Sequence, residues 1–425
     1  MAKKVKRKLK IKKLIIFIVF IFVILIGGVF GSLKLLDSSD KTENKTINAK
    51  KYNFIKYGSV KDKADIYTKD GNSYKKIGTI EKGFGLEFES LDNNYLKIKG
   101  FDDKYYIDID AVKEENGIKE IDQRYKNYIV FNENVITNDN TSFYDEDGNL
   151  LYIINNSYDL PIVIKEDERY GVEFNNSLVY IKKDNVKETK ANNNTDKSNT
   201  SGVGVLNYHF FYDDSIANND GCNEEICVSK SQFTSELEYF KTNNILPIMS
   251  KELEWYIDGN VQLPKSVYIT IDDGGRTEIA VDLLKEYKYY ATIFLVTSWF
   301  NPKDYYKNEY IELHSHTDNL HKQGDCPTGQ GGGIQCLSKD KILSDLKTSQ
   351  DKLGGSTVIA YPFYEYNDYS IEMLKEAGFT MAFAGESTHS DNLVHVGDNK
   401  YTLPRFVMVN YTTKNDLDRY FGNIK

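Results

Sequence analysis

The chain has 425 residues, enough for two or three domains that each bury a hydrophobic core. Hydrophobic residues make up 40% of it and aromatic residues 13%, a composition that excludes a wholly disordered protein. The formal net charge is −9, and it falls to about −17 once the eight Lys and Arg of residues 1–13 are set aside. Such an acidic remainder disfavours nucleic acid as a partner.

The amino-terminal segment has the pattern of a membrane anchor. Residues 1–13 form a basic tail, and residues 14–36 begin with seventeen consecutive apolar residues, which with those that follow are long enough to span a bilayer. The basic flank should remain in the cytoplasm, so the rest of the chain lies outside. We expect a single-pass cell-membrane protein with a polar tether at 37–51 and extracellular C-terminal domains. A cleaved signal peptide is the alternative, with "FGS" (30–32) as a weak cleavage site.

The region after the tether reads as short alternating strands broken by Asn, Asp and Gly turns. It contains a repeat, since "IYTKDGN" begins at residue 66 and "FYDEDGN" at residue 143, an offset of 77. We expect two small β-barrels at 52–118 and 122–188, followed by a polar linker at 189–202. Their strand order resembles bacterial SH3-like domains, and that resemblance implies binding of cell-wall material. Spacer barrels without a binding role are the alternative.

From residue 203 strands alternate with amphipathic helices, as in the apolar run 267–271 and the helical pattern 338–353. This order predicts an α/β domain over 203–425 whose parallel sheet closes into a barrel. We also expect a short helix at "SKELEWYID" (250–258), capped by its serine.

Residues at the carboxyl ends of barrel strands carry the chemistry of such folds. We place Asp272, Asp273, His314, His316, Pro362 and Arg405 at or near such ends.

The four cysteines form two local pairs, Cys222 with Cys227 and Cys326 with Cys336. Outside the membrane such pairs are more often disulfides than metal ligands, although four cysteines allow three pairings. Neither pair has the C-x-x-C spacing of a zinc ribbon.

Two adjacent carboxylates, Asp272 and Asp273, end the predicted strand "VYITI". Neighbouring like charges raise one pKa unless a cation compensates them, so the pair suggests one metal ligand and one base. A helix N-cap is the alternative interpretation. Three of the six histidines fall within eight residues, in "HSHTDNLH" (314–321), and imidazole is the usual zinc ligand.

"TIDDGG" (270–275), then "HSHTDNLH", then "AYPFYEYND" (360–368) resemble the motifs of NodB-type polysaccharide deacetylases, carbohydrate esterase family 4. With "VLNYHFF" (205–211) and "LPRF" (403–406), the set is most similar to the branch that acts on poly-N-acetylglucosamine exopolysaccharide. The resemblance implies a distorted (β/α) barrel and a metal-dependent N-deacetylase of cell-wall or exopolysaccharide glycan, either poly-N-acetylglucosamine or peptidoglycan.

The resemblance also implies a role for each matching residue. Asp272 becomes the general base, while Asp273, His316 and His321 become the ligands of zinc, or of cobalt or nickel. His209 lies near the site and is our expectation for the general acid, with metal-bound water alone as the alternative.

The third motif supplies the substrate groove. The resemblance implies that the backbone N–H of Phe363 stabilises the oxyanion and that Tyr361 and Pro362 line the groove. It also implies a narrower groove at Tyr364, where many family members have Gly.

The chain also departs from the family pattern. Ala360 stands where the family usually has Arg, and Arg405 is our expectation for the residue that orients Asp272 instead. No Leu-x-His motif supplies the usual acid. These losses favour an alternative, a catalytically inactive protein that binds wall glycan; the intact Asp/Asp/His/His set opposes it. An esterase on acetylated glycan would use the same residues.

Overall fold

The structure is a computed structural model. It describes residues 52–100, 104–118, 123–192, 199–305, 308–385, 391–422 and 424. The predicted basic tail (1–13), anchor (14–36) and tether (37–51) lie outside these residues. Across the described ranges, no helix combines the length and the apolarity that crossing a bilayer requires.

Seven antiparallel strands form the first β unit, which we call module 1 (57–114). They are β1 Tyr57–Val60, β2 Ala64–Asp70, β3 Ser73–Ile80, β4 Gly85–Asp92, β5 Tyr95–Ile98, β6 Tyr105–Asp108 and β7 Val112–Glu114. The first copy of the repeat forms the β2–β3 hairpin, whose turn contains Gly71 at a φ of 61°. Glycine adopts this left-handed conformation without steric cost.

Module 2 (133–191) has seven strands with the same pairing pattern as module 1. They are β8 Glu133–Thr137, β9 Thr141–Tyr144, β10 Leu150–Ile154, β11 Asp159–Lys165, β12 Arg169–Phe174, β13 Ser177–Lys182 and β14 Val186–Ala191. The second repeat copy forms the equivalent β9–β10 hairpin, and β10 pairs with β3 to join the two modules. Strand β14 ends at Ala191, inside the predicted linker, because it pairs with β8.

The remaining part of the chain is an α/β domain. Its strands are β15 Val203–Tyr208, β16 Phe210–Tyr212, β17 Cys227–Ser229, β18 Leu246–Pro247, β19 Ser266–Asp273, β20 Ala291–Leu295, β21 Ile311–Ser315, β22 Val358–Ala360, β23 Met381–Phe383 and β24 Phe406–Val407. Its helices are α1 Lys230–Thr242, α2 Ser250–Ile257, α3 Glu278–Tyr287, α4 Lys339–Lys352, α5 Asp368–Ala377 and α6 Lys414–Gly422.

The main sheet of this domain is parallel and has the order β23-β22-β21-β20-β19-β15-β24. Its two ends approach each other through residues 403–407. Ala384 N donates to Leu403 O at 2.8 Å on one side, and Met408 N donates to Asn207 O at 2.9 Å on the other. Leu403 joins β23 by a single bridge, and β24 is only two residues long, so the barrel is distorted at this point, as the family resemblance implies.

The start of α2 corrects one prediction. Ser250 is the first helical residue rather than the cap. Glu252 accepts a hydrogen bond from the backbone N–H of Met249, so it provides the capping contact. The Ser250 hydroxyl instead contacts Glu312 and His314 on β21. The sequence pattern of a serine before a helix did not anticipate this tertiary contact.

Module 2 is attached to the α/β domain by an ordered interface. Arg124 and Tyr128, from the segment before β8, both donate to the buried carboxylate of Glu252, the latter at 2.6 Å. Backbone bridges join Ile129 to Gln262 and Ile164 to Val261. The apolar side chains at this contact belong to the same core cluster as the inner barrel strands.

Helix α1 covers the barrel and contains a buried carboxyl group, Glu236. It accepts hydrogen bonds from the Tyr208 hydroxyl at 2.9 Å and from Gln232 Nε2 at 3.0 Å. Burial outweighs these two donors and raises the pKa of Glu236 to about 7. A group whose pKa is higher in the folded state contributes stability that is present below its unfolded pKa and lost as the pH rises through the folded one.

Replacement of Glu236 by glutamine is therefore expected to stabilise the protein above pH 8, by up to about 3 kcal/mol, with no gain below pH ~4.5. Thermal unfolding at both pH values measures this. The matched control is Glu238→Gln, an exposed position of the same helix. An equal effect of Glu236→Gln at both pH values would contradict the prediction.

Candidate active site

The predicted site residues come together at one end of the barrel. Asp272 and Asp273 end β19, His316 directly follows β21, and His209 follows β15. One position is corrected, because Arg405 directly precedes β24 rather than following a strand. Its long side chain nevertheless reaches Asp272.

Three side chains form a group that can hold a metal ion. One ligand atom from each of Asp273, His316 and His321 lies within 4.8 Å of the other two. Asp273 Oδ1 is 3.4 Å from Nε2 of both histidines. His316 Nδ1 lies 2.9 Å from the Ala360 carbonyl oxygen, which can only accept, so Nδ1 carries a proton and Nε2 is the ring nitrogen that faces Asp273.

The chemistry of these three groups fits a divalent cation. Asp273 Oδ1 is buried, and no donor among the described residues hydrogen-bonds to it, which is costly without a positive partner. Burial, together with His316, lowers the pKa of His321 to about 4, so its imidazole is neutral near pH 7. Burial would lower the pKa of His316, but the carboxylates of Asp272 and Asp273 outweigh it and raise that pKa, so a metal ion would displace the proton from His316 Nε2. One carboxylate and two imidazoles are a common ligand set of catalytic zinc, with one coordination position left open.

A short turn after β19 separates the two carboxylates. Asp273 has a φ of 70° and Gly274 a φ of 96°. A Cβ on Gly274 would lie only 2.2 Å from Leu295 Cδ1, so only glycine is accommodated there. The turn therefore separates Asp273, in the metal-ligand group, from Asp272, which points into the barrel.

Asp272 is paired with Arg405. Both side chains are almost fully buried, and Arg405 Nη1 donates to Asp272 Oδ1 at 2.7 Å. Arg405 Nε donates to the Ala384 carbonyl oxygen at 2.9 Å, which fixes the guanidinium. Burial alone would raise the pKa of Asp272, but Arg405, with His316 and His209, outweighs it and lowers that pKa to about 2. The carboxylate is consequently ionised at neutral pH.

The third motif forms a turn after β22 in which Phe363 and Tyr364 have φ values of 58° and 62°. The described part of the chain contains no acceptor for the Phe363 N–H, whereas Tyr364 N donates to Tyr361 O at 3.0 Å. The Phe363 ring lies 4.4 Å from that of His321. Phe363 therefore lies beside the metal-ligand group with its amide available.

Two predicted groove residues are instead buried. Tyr361 is fully buried, and its hydroxyl donates to Tyr401 O at 3.1 Å, so it packs in the core and does not line a groove. Pro362 is also buried and begins the turn. The alternation of the preceding strand places Tyr361, like Ile359, in the core cluster between the sheet and helices α4 and α5, which corrects the prediction for Tyr361.

His209 and Tyr364 lie on the side of the site next to Arg405. The Tyr364 hydroxyl donates to Asn207 Oδ1 at 2.7 Å and lies 3.4 Å from His209 Nε2. His209 Nδ1 is buried and has no partner among the residues that are described. Burial lowers the pKa of His209, although the charges of Asp272 and Asp273 oppose this.

The sequence interpretation missed Trp299. It follows β20, its side chain is 50% exposed, and its ring centroid lies 5.1 Å from that of His321. A tryptophan just after the predicted strand "ATIFLV", one of only two in the chain, would have been a usable signal, because sugars stack on such rings. His314, by contrast, is partly buried between the Ser250 and Ser356 hydroxyls and lies outside the ligand group.

Residues 259–382 match the protein family described as polysaccharide deacetylase. The chain is 27% identical over 246 residues to the poly-beta-1,6-N-acetyl-D-glucosamine N-deacetylase of Staphylococcus aureus (strain NCTC 8325 / PS 47), covering 51% of this chain and 82% of that one. The similarly named Staphylococcus epidermidis protein is 24% identical over 201 residues, covering 43% and 68%. A solved de-N-acetylase from Aggregatibacter actinomycetemcomitans aligns with a TM-score of 0.45 and 21% identity, covering 51% and 99%.

The chain therefore carries a polysaccharide deacetylase domain, and it is a hydrolase that acts on carbon–nitrogen bonds. Its relatives include enzymes named as poly-N-acetylglucosamine deacetylases.

Proposed function

We propose that this protein removes N-acetyl groups from a poly-N-acetylglucosamine-type glycan outside the cell, with the help of a divalent metal ion. The observation that carries the proposal is that two carboxylates adjacent in sequence have different partners in the structure. The ligand atoms of Asp273, His316 and His321 lie within 4.8 Å of one another, while Asp272 forms an ion pair with Arg405. The printed name of the relatives supports the choice of glycan.

Asp273, His316 and His321 would hold the metal ion, with zinc as our first expectation. When bound in such a site, a divalent cation polarises the acetamide oxygen and lowers the pKa of water. A residue behind the ligands helps to orient one of them, because the Ala360 carbonyl oxygen accepts a hydrogen bond from His316 Nδ1.

Asp272 is the proposed general base. Because Arg405 keeps its carboxylate ionised, Asp272 can accept a proton from the attacking water throughout the neutral pH range. Arg405 Nη2 is buried without a partner among the described residues, so Arg405 has no second anion that would draw it away from Asp272.

The developing oxyanion would accept a hydrogen bond from the Phe363 N–H. One such donor contributes about 2.7–4 kcal/mol to lowering a barrier. His209 is the proposed acid for the leaving nitrogen. Because burial lowers its pKa, the ring is neutral near pH 7 and can donate only after it has accepted a proton during turnover.

The surroundings of the site suit a glycan. Trp299 offers an exposed ring beside His321, on which a neighbouring sugar can stack. In module 1, the rings of Tyr74 and Tyr95 stack at 3.9 Å with Tyr67 edge-on to Tyr95, and we propose this cluster as the wall-binding surface. Residues 14–36 would anchor the protein in the cell membrane as a single span.

Acetate release tests the proposal. The purified extracellular part should release acetate from β-1,6-linked N-acetylglucosamine oligomers, and a chelator should abolish release until zinc, cobalt or nickel is restored. β-1,4-linked oligomers and peptidoglycan serve as comparison substrates. Equal turnover of O-acetylated glycan would favour an esterase. Glycan binding without stoichiometric metal or acetate release would favour the inactive binding protein.

A further inference from the structure

A glycine-rich loop closed by a disulfide lies against the turn that carries Phe363. The loop spans residues 322–336, directly after His321, and Cys326 and Cys336 are disulfide-bonded. Within it, Gly324 N donates to Gln330 O at 2.9 Å and Cys326 N donates to Gly331 O at 3.0 Å. The second disulfide, Cys222–Cys227, lies elsewhere in the domain, so both local pairs predicted from the sequence are present.

One carboxylate, that of Glu365, connects this loop to the turn. It accepts hydrogen bonds from the backbone N–H groups of Gln330 and Gly332, the latter at 3.0 Å, and from Gln335 Nε2 at 2.8 Å. A Cβ on Gly329 would lie 1.9 Å from Glu365 Oε1, so a side chain at this position would displace the carboxylate, and its φ of 60° also favours glycine.

The turn needs such support because its backbone is strained. Phe363 and Tyr364 are both in the left-handed region, which bulky residues seldom occupy. Conformations of this kind persist only where the surroundings over-determine them. The loop also passes close to the turn, since a Cβ added to Gly332 would lie 3.4 Å from the Phe363 ring and 3.6 Å from the Pro362 carbonyl oxygen.

We propose that Glu365 is a positioning residue for the deacetylation reaction. Through the disulfide-closed loop it holds the turn 362–364, so that the Phe363 N–H points at the place where the oxyanion forms. Glu365 itself lies next to the turn and does not touch the reacting atoms. The inference rests on the proposed function, because it assigns the Phe363 N–H to the oxyanion.

The test uses the metal-loaded protein with Glu365→Gln, which replaces one acceptor oxygen by an NH2 group facing N–H donors. We expect kcat on N-acetylglucosamine oligomers to fall about 10- to 100-fold, as for a slightly misplaced donor, with KM within about twofold and metal content unchanged. Asp416→Asn is the matched control, because Asp416 likewise accepts from a backbone N–H, that of Thr413, at the start of α6. A raised KM with unchanged kcat would overturn the inference.

A second measurement does not depend on activity. Amide hydrogen exchange over residues 361–366 should accelerate at least about tenfold in Glu365→Gln and in the double variant Cys326→Ser/Cys336→Ser, but not in Asp416→Asn. Combining Glu365→Gln with the cysteine changes should add little, since both act through one loop. Unchanged exchange would overturn the positioning role. Absence of acetate release by the wild type would count against the proposed function alone.

Discussion

Replacing Asp272 by asparagine is expected to lower kcat by about 10²- to 10⁴-fold while the protein keeps its metal ion. Asparagine has nearly the same volume as aspartate but cannot accept the proton of the attacking water. The ligand group contains Asp273 and not Asp272, so the metal site should persist. Acetate release and metal content of the same preparation are the two measurements.

Asp273→Asn provides the matched control for this prediction. It changes the neighbouring carboxylate in the same way but removes a ligand, so metal and activity should be lost together. If Asp272→Asn also lost its metal, the assignment of separate roles to the two carboxylates would fail.

Replacing Arg405 by methionine is expected to destabilise the fold by about 3–5 kcal/mol, because it leaves the buried carboxylate of Asp272 without its counter-charge. It should also raise the pKa of Asp272. The base then remains protonated to a higher pH, so the acidic limb of the pH–activity profile shifts upward. Chemical denaturation and the pH dependence of kcat/KM measure the two effects.

Two further variants test the cause of this loss. Arg419→Met removes a surface ion pair with Asp416 and should cost less than about 1 kcal/mol. The double variant Asp272→Asn/Arg405→Met should recover part of the stability lost in Arg405→Met, because the unpaired charge is gone. Failure of the double variant to recover any stability would contradict the pairing argument.

Much of the site was accessible from local patterns. A predicted strand ends on Asp272 and Asp273, and three histidines cluster at the end of a second predicted strand. These two patterns placed the metal-ligand group at two strand ends. Parallel strands bring their carboxyl ends to one edge, so residues about forty positions apart could be expected to meet. The duplicated β units were visible because both copies retain the same hairpin turn.

Other features could not be read from the sequence. The short helix seemed to need a serine cap, but Ser250 makes its contacts with β21, which lies about sixty residues further along the chain. Tyr361 seemed a groove residue because of its motif, yet the direction of its side chain is set by the strand before it. Neither the contact of Ser250 nor the direction of the Tyr361 side chain can be predicted from the neighbouring residues in the sequence.

The sequence by itself determined the chemical groups, the repeat and the alternation of strands and helices, because these depend on residue identity and on the short periods of a strand or helix. The tertiary structure alone decided that Ser250 contacts β21, that Tyr361 packs in the core and that Glu365 holds the loop beside Phe363. The reason is physical. These contacts join segments that meet only when the barrel has curved and its loops have closed, and many other pairings would be equally compatible with the local pattern.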